Sequence, residues 1–387
     1  MNSNAMLYDF SGIIAQFNTE GGDFEISGFG SGHINDTYLV KNRRDIHPGY
    51  LLQKINSFVF KNIDGLMNNM LYVVNHLKQK ISETGGNPDR EVLTLIPTKE
   101  GKYYYKDKQD NYWRMTCFLA DTKSYDLVTT KQQAYQGGVA FGRFQYLLSD
   151  LDPALLIDTI PDFLNIEKRL FDFRKALERD NAGRLKEVKE EVDFLNSRAT
   201  AMHEIPNLGR ANILPLRITH NDTKFNNILL DKDGNIQCVI DLDTVMPGYI
   251  AFDFGDAIRT IINTAAEDEA DLNTIQLNIP LFTEFTRGYL SETRSFLTEA
   301  ELKSLMMGVL LLPYMQSVRF LTDYLEGDVY YKTHFADHNL QRTHAQIQLF
   351  KILELNKTEL ENIVQTEWNN LKAGAILKAP VIKQDAL

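Results

Sequence analysis

The sequence predicts an α+β protein with two lobes, a strand-rich N-terminal lobe and a larger, mainly helical C-terminal lobe. Short runs of β-branched and aromatic residues separated by turns dominate residues 1–116. Beyond them, apolar residues recur at helical spacing over long segments. A chain of 387 residues is long enough to give each lobe its own core. We therefore predict an N-terminal lobe over residues 1–116 and a C-terminal lobe over residues 117–387.

Composition excludes several functional classes. Hydrophobic residues make up 43% and charged residues 24% of the chain, as in ordinary soluble globular proteins, so disordered and fibrous proteins are excluded. The net charge is −11, from 41 basic and 52 acidic residues. Such a surface repels nucleic-acid phosphates and anionic lipid, so we expect no nucleic-acid polymer and no membrane as partner. A local basic pocket for one phosphorylated ligand remains compatible with this charge.

The sequence also predicts a cytoplasmic location. The chain opens on polar residues without a cationic start, so we expect no signal peptide. The longest apolar run, residues 309–312, is expected to stop at Pro313, well short of a membrane span. The two cysteines, Cys117 and Cys238, lie in apolar stretches far apart, and we expect both to be buried free thiols in a reducing compartment.

In the N-terminal lobe we expect strands at 24–29, 37–40, 50–55, 92–97 and 112–119. A helix over 63–81 follows the third strand and ends near Gly85-Gly86. In the C-terminal lobe we expect helices over 131–148, several helices within 165–199, and a mainly helical stretch over 282–373. The dense charges of 165–199 indicate a solvated face.

The most informative segment spans residues 219–259. Two short apolar runs, 228–230 and 236–240, flank an Asp233-Gly234 turn and predict a β-hairpin. A hairpin centred on Gly234 pairs Asn227 with Asp241, which places both side chains at its open end. Amide and carboxylate oxygens are suitable ligands for magnesium, particularly beside nucleotide phosphates. We therefore predict that Asn227 and Asp241 hold a metal ion.

Asp222 lies five residues before Asn227, on the loop that enters the hairpin. This spacing matches the phosphoryl-transfer arrangement in which an aspartate accepts the proton of the substrate hydroxyl. Lys224 is positioned to place a cation against the transferring phosphoryl group, and His220 is expected to hold backbone geometry. An Asn- and Asp-rich surface turn would need no function, but the joint spacing of these residues argues against that interpretation.

The tripeptide Asp253-Phe254-Gly255 spells the metal-binding motif of protein kinases but lies 26 residues after Asn227, too far to close the hairpin. We expect Asp253 and Asp256 to cap a helix over 256–263 and to brace the loop. Asp241 is therefore the preferred metal ligand. For Asp243 three roles stay open, a second metal, the substrate, or the fold.

A glycine-rich stretch, residues 28–37, lies between two predicted strands. Glycines there allow backbone N–H groups to approach phosphates, so we predict nucleotide contacts at Gly30, Ser31, Gly32 and His33. No Gly-Lys-Ser/Thr follows and no helix opens there, which excludes a Walker P-loop.

The module of Asp222, Asn227 and Asp241 on a strand-then-helix chain resembles the aminoglycoside phosphotransferase and choline kinase superfamily, whose fold is protein-kinase-like. More closely, five motifs resemble bacterial N-acetylhexosamine 1-kinases: GHINDT at 32–37, LQKIN at 52–56, HNDTK at 220–224, VIDLDTV at 239–245 and RFLTDYLEGDVY at 319–330.

This resemblance implies phosphorylation of the anomeric hydroxyl of N-acetylglucosamine or N-acetylgalactosamine, dependent on ATP and Mg²⁺. It implies that Asp222 is the base, that Asn227 and Asp241 hold metal, and that Arg319 and Tyr330 contact the sugar. Taken alone, Arg319 in a helical stretch is more often a salt-bridge partner, and Tyr330 more often packs in the interior. An arginine and a tyrosine do suit a polyhydroxylated ligand.

One departure from the kinase pattern concerns the lysine–glutamate pair. A kinase carries a phosphate-binding lysine on the third strand and a glutamate on the next helix. Here Gln53 falls nearest the lysine position, with Lys54 on the opposite face, and the helix over 63–81 contains no glutamate. We expect the pair to be absent or replaced, with Gln53 among the nucleotide contacts.

Two alternatives stay open. One is a kinase for another small acceptor, such as choline, homoserine, an aminoglycoside or another sugar; the 17 tyrosines and the acidic surface are compatible with a cationic acceptor. The other is a nucleotide-binding pseudokinase, suggested by the missing lysine–glutamate pair. The presence of both metal ligands and the base argues against it.

Overall fold

The computed structural model describes residues 8–30, 34–44 and 48–372, and it has the α+β architecture that the sequence predicts. The N-terminal part forms a five-stranded antiparallel sheet in the order β1-β2-β3-β5-β4. Its strands are β1 (Phe24–Gly28), β2 (Asp36–Asn42), β3 (Tyr50–Ile55), β4 (Tyr105–Lys106) and β5 (Tyr112–Cys117). Four of them match predicted strands within about two residues.

The strand predicted over 92–97 is wrong. This segment makes only an isolated bridge between Leu95 and Thr116, with Ile96 N donating to Met115 O at 2.8 Å. Pro97 has no amide hydrogen to continue the ladder. The short strand β4 occupies the sheet edge instead.

Three helices accompany the sheet: α1 (Phe10–Ile14), α2 (Ile63–Glu83) and α3 (Pro88–Glu91). The first packs on the sheet, where Ile13 and Ile14 share a core with Trp113. The buried face of α2 shares a second core with Phe144, Leu242 and other residues beyond the sheet. Because apolar contacts of α2 reach the segment after Asp241, the strand-rich part packs directly against the loop that carries this candidate metal ligand.

The C-terminal part is mainly helical, as predicted. Its helices are α4 (Lys131–Leu147), α5 (Ile166–Arg179), α6 (Lys189–Arg198), α7 (Glu204–Arg210), α8 (Ile250–Ile261), α9 (Ile279–Thr293), α10 (Glu299–Glu326), α11 (His338–Leu355) and α12 (Lys357–Lys372). They surround one large apolar core. Helices α8 and α10 approach closely at Gly255, where a Cβ atom would lie 2.3 Å from Gly308 O. The close packing of these two helices therefore explains why a glycine is the third residue of the Asp253-Phe254-Gly255 tripeptide.

Helix α10 corrects one prediction. Its apolar run continues through Pro313 instead of stopping there. Among the described residues it is the one helix long and apolar enough to cross a membrane, but 78% of its apolar window is buried inside the protein. Tertiary burial of nearly the whole helix outweighs the cost of an internal proline. The cytoplasmic location stays a prediction.

The hairpin forms as predicted, from β7 (Ile228–Leu230) and β8 (Ile236–Val239), but its register differs by one residue. Ile240 N donates to Asn227 O at 2.9 Å, so Asn227 faces Ile240 and not Asp241. The turn is centred on Asp233, because Asp231 N donates to Asn235 O at 2.9 Å. A second short antiparallel pair is formed by β6 (Arg217–Thr219) and β9 (Met246–Gly248). The loop that carries Asp222 follows β6, and the turn that carries Asp241 precedes β9.

Both cysteines are free thiols, as predicted. Cys238 is buried, and burial raises the pKa of its thiol to about 12. Cys117 ends β5 and is only half-buried, which corrects the expectation that both are fully enclosed.

Candidate active site

The loop between β6 and β7 is held by two acids of α8. Backbone N–H groups of His220 and Asn221 donate to the carboxylate of Asp253 at 2.8 and 2.7 Å. Thr223 N donates to Asp256 Oδ2 at 2.9 Å. The prediction that these acids brace the loop is confirmed. The prediction that they cap a helix is wrong, because α8 begins at Ile250 and both lie inside it.

His220 supports the same backbone. Its Nδ1 accepts from Asp222 N at 3.3 Å, which leaves Nε2 to donate to Ile240 O at 2.9 Å. The ring is buried and has edge contacts with Phe141 and Phe144. These contacts agree with the structural role predicted for His220, and they join the loop before the hairpin to the strand that leaves it.

Asp222 lies among polar partners and keeps part of its side chain open to solvent. Its Oδ1 is 3.0 Å from Lys224 Nζ, and Asn227 Nδ2 donates to Asp222 O at 2.8 Å and to Oδ2 at 3.3 Å. Burial by itself would raise the pKa of Asp222, but the charge of Lys224 and its contact with the carboxylate outweigh burial and the pKa is lowered. Asp222 is therefore an ionised hydrogen-bond acceptor at neutral pH.

Asn227 and Asp241 lie at the open end of the hairpin. The Asn227 amide nitrogen is used on Asp222, and its Oδ1 accepts no hydrogen bond from the described residues. Asp241 has a left-handed backbone, with φ of 60°, and a side chain open to solvent despite the protein atoms around it. Desolvation by those atoms, together with the charges of Asp243 and Asp222, raises the pKa of Asp241 to about 6.

This donor set fits a hard divalent cation. It offers an amide oxygen and a carboxylate, both of which are oxygen ligands suited to such an ion. Within residues 8–30, 34–44 and 48–372, no three His, Cys, Asp or Glu side chains gather as a ready-made metal centre. A cation here would therefore need further oxygens from a ligand or from water.

Asp243 accepts hydrogen bonds from the N-terminal sheet, a contact that the sequence analysis did not anticipate. Arg114 on β5 and Asp243 are only 2% and 3% exposed, and two guanidinium nitrogens contact the two carboxylate oxygens, with Nη2 to Oδ2 at 3.0 Å. Asn35 Nδ2 donates to the same Oδ2 at 2.6 Å. Of the three roles left open for Asp243, these contacts favour the fold. A contact of Asp243 with a second metal or with the substrate stays a prediction.

Gln53 joins this network on β3. Its Oε1 accepts from Arg114 Nε at 2.9 Å, and its Nε2 donates to Thr37 Oγ1 at 3.1 Å. Lys54 lies on the other face, as predicted, and pairs with Asp36 at 2.9 Å. The cation nearest the expected lysine position is thus supplied by the neighbouring strand. Gln53 and Arg114 lie opposite each other on β3 and β5. Arg114 could therefore have been identified as the replacement cation from the sequence only if the strand order had been known.

The glycine-rich stretch is described only in part. Gly30 has φ of 75°, and among the described residues beyond its chain neighbours no atom lies within 4 Å of the place a Cβ would take. Ser31, Gly32 and His33 lie outside the described residues. Their predicted contacts with nucleotide stay predictions.

Arg319 and Tyr330 come together in a cavity of about 300 Å³ between α5, α10 and the segment after α10. It is lined by Arg169, Phe171, Asp172, Lys175, Arg179, Arg319, Thr322, Asp323, Glu326, Tyr330 and Tyr331. Asp222 does not line it.

The antiparallel sheet over a helical lobe, with an acid–amide–acid set at a hairpin, is the arrangement expected of a phosphotransferase with a kinase-like fold. A family model described as the phosphotransferase enzyme family matches residues 25–285. The chain therefore belongs to the phosphotransferase enzyme family, which includes the aminoglycoside phosphotransferases.

Solved structures share the fold at low sequence identity. An aminoglycoside phosphotransferase from Alicyclobacillus acidocaldarius is 13% identical, with a TM-score of 0.60, over 91% of this chain and 96% of that one. A choline kinase from Cryptosporidium parvum is 16% identical, with a TM-score of 0.57, over 93% and 99%. An amicoumacin kinase in complex with AMP-PNP and Ca²⁺ is 13% identical, with a TM-score of 0.57, over 89% and 94%. The predicted two-lobe, kinase-like fold is confirmed.

Proposed function

We propose that this protein transfers the γ-phosphoryl group of ATP to a hydroxyl group of a small molecule. The observation that carries the proposal is the arrangement at the hairpin, where Asp222 and Asn227 are hydrogen-bonded and Asp241 lies at the same open end. Membership of the phosphotransferase family and a similar kinase solved with AMP-PNP support it.

In this proposal Asp222 orients the acceptor hydroxyl and receives its proton. Its lowered pKa suits a loose transition state, in which the proton moves late and positioning dominates. Lys224, 3.0 Å from Asp222, fixes the carboxylate and provides positive charge beside the transferring group.

Asn227 and Asp241 would hold Mg²⁺, which when bound offsets the negative charge of the nucleotide phosphates. The backbone around Gly30 would approach those phosphates from the sheet side. The Arg114–Asp243 pair would act indirectly on the metal site, by fixing the position of the turn that carries Asp241 relative to the sheet.

For the acceptor we propose an N-acetylhexosamine, phosphorylated at its anomeric hydroxyl. Arg319 and Tyr330, the two residues that the family resemblance assigns to the sugar, line one cavity. The cavity also contains Arg169 and two other basic side chains. Cationic acceptors such as choline or an aminoglycoside would be repelled by these arginines, so the cavity favours the sugar over the alternatives seen among similar structures.

The test measures ATP-to-ADP conversion with Mg²⁺ against N-acetylglucosamine, N-acetylgalactosamine, glucose, galactose, choline, homoserine and an aminoglycoside, with phosphorus NMR of the product. We expect an anomeric phosphate on an N-acetylhexosamine. Turnover on another acceptor would retain the kinase and refute the sugar. Tight ATP binding without turnover on any of them would favour the pseudokinase.

Asp222→Asn should lower kcat by about 10²–10⁴-fold, the range for loss of a positioned general base, and leave ATP affinity unchanged. Asp233→Asn is the matched control, since it removes one carboxylate from the exposed tip of the same hairpin. Near-full activity of Asp222→Asn would exclude Asp222 as the base.

A further inference from the structure

The cavity between α5 and α10 contains two arginines without an acidic partner. Arg169 lies on α5 and Arg319 on α10, and among the described residues neither forms an ion pair. Burial lowers the pKa of Arg169, and the nearby positive charge of Arg319 lowers it further. The two guanidinium groups therefore repel each other inside a protein whose net charge is −11.

Two buried polar atoms at this place lack any hydrogen-bond partner within the described residues. They are Nε of Arg169 and Oη of Tyr331. Arg169 uses Nη2 on Phe163 O at 3.0 Å, and Arg319 uses Nη1 on Gln316 Oε1 at 2.8 Å. Buried donors without partners are rare in folded proteins, and each one calls for an explanation.

The acids of the cavity are mostly committed elsewhere. Asp323 accepts three backbone N–H groups, from residues 329, 330 and 331, at 2.8–3.0 Å, and also one from Asn339. Both oxygens of Asp172 contact Lys168. Only Glu326 among the lining acids has no hydrogen bond, so the cavity keeps more unpaired positive than negative charge.

We propose that this cavity binds an oxyanion carried by the acceptor, a carboxylate, sulfate or phosphate substituent, through Arg169, Arg319 and Tyr331. An oxyanion provides oxygens that accept hydrogen bonds, together with negative charge, and two guanidinium groups and a phenol require both. The natural acceptor is then an acidic derivative of the amino sugar. This inference rests on the proposed function only for the place of the acceptor, since binding of the anion needs no phosphoryl transfer.

The experiment measures equilibrium binding by calorimetry without nucleotide, using N-acetylglucosamine 6-sulfate, N-acetylglucosamine and inorganic sulfate. We expect the sulfated sugar to bind at least tenfold more tightly than the neutral sugar and than inorganic sulfate. Arg169→Met should abolish this preference. Arg174→Met is the matched control, because it removes the same charge from an exposed position of α5 outside the cavity and should preserve the preference.

A second variant, Tyr331→Phe, separates a loss of binding from a folding defect. It deletes only the unpartnered hydroxyl, so it should weaken binding of the sulfated sugar several-fold without lowering the melting temperature. Equal affinities for the two sugars, or a preference that Arg174→Met also abolishes, would refute the inference. Inorganic sulfate that binds as tightly as the sulfated sugar would refute an acceptor-borne anion in favour of a free one.

Failure of this inference and failure of the proposed function give different results. Turnover of N-acetylhexosamines with equal affinity for both sugars would refute the anion site alone. A preference for the sulfated sugar that depends on Arg169, with no phosphoryl transfer to any N-acetylhexosamine, would refute the proposed function alone.

Discussion

Arg114, which is buried, and Arg169, which is partly buried, have opposite surroundings. Each of the three nitrogens of Arg114 donates to Asp243 or Gln53, and the group joins the sheet to the turn after Asp241. Arg169 has one hydrogen bond, a buried Nε without a partner, and a second arginine nearby. The first arginine is satisfied by the protein itself, whereas the second keeps donors for something else.

The difference indicates what each site contributes. A buried ion pair with every oxygen and nitrogen bonded fixes geometry, and removal of one partner leaves a buried charge alone. An unpartnered buried donor costs about 1–3 kcal/mol of stability, a cost that proteins maintain where a ligand is bound. Stability should therefore be sensitive to the Arg114 network, and ligand affinity to the arginine cavity.

The largest effect is expected for Arg114→Met, which leaves Asp243 buried without its cation. We expect the free energy of unfolding to fall by about 3–5 kcal/mol, measured by chemical denaturation. The double variant Arg114→Met/Asp243→Leu should recover part of this loss, because it removes the stranded charge. A loss below about 1 kcal/mol for the single variant would contradict the comparison.

An intermediate effect is expected for Asn35→Ala, which removes the 2.6 Å hydrogen bond to Asp243 and the 2.9 Å hydrogen bond that Asn35 Oδ1 accepts from Asn56 N. Hydrogen bonds to charged groups contribute about 1.5–3 kcal/mol, and half-buried Asn35 should lie near the lower end. Asn273→Ala, at an exposed turn, is the control. A stability equal to that of this control would remove Asn35 from the network.

The smallest effect on stability is expected for Arg319→Met. Its loss relieves repulsion with Arg169 but breaks the contact with Gln316 and the cation–π contacts with the rings of Phe163 and Tyr331, so the free energy of unfolding should change by about 1 kcal/mol or less. The KM for the acceptor should rise tenfold or more, with kcat changed less. If stability falls by more than about 2 kcal/mol, Arg319 belongs with Arg114 as a structural cation.

Much of the fold could be predicted because its signals are local. The third strand has the predicted bounds, the hairpin has the predicted loop residues, and α4 ends one residue from the predicted position. Periodicity and turn residues act over a few neighbours, so they can be read from the chain. The grouping of Asp222, Asn227 and Asp241 also follows from local spacing, since one hairpin and its two flanking loops span the whole interval.

The errors occur where distant contacts decide. The hairpin register is the local exception, because hydrogen bonds inside the turn set it, whereas α10 continues through Pro313 because distant residues bury it. The pair of Arg114 and Asp243 spans 129 residues, and Arg169 meets Arg319 only because α5 packs on α10. The sequence by itself determined the fold class, the family motifs and the loop chemistry. The tertiary structure alone decided which arginines are paired, because the energy of a buried charge depends on the partners brought to it in space.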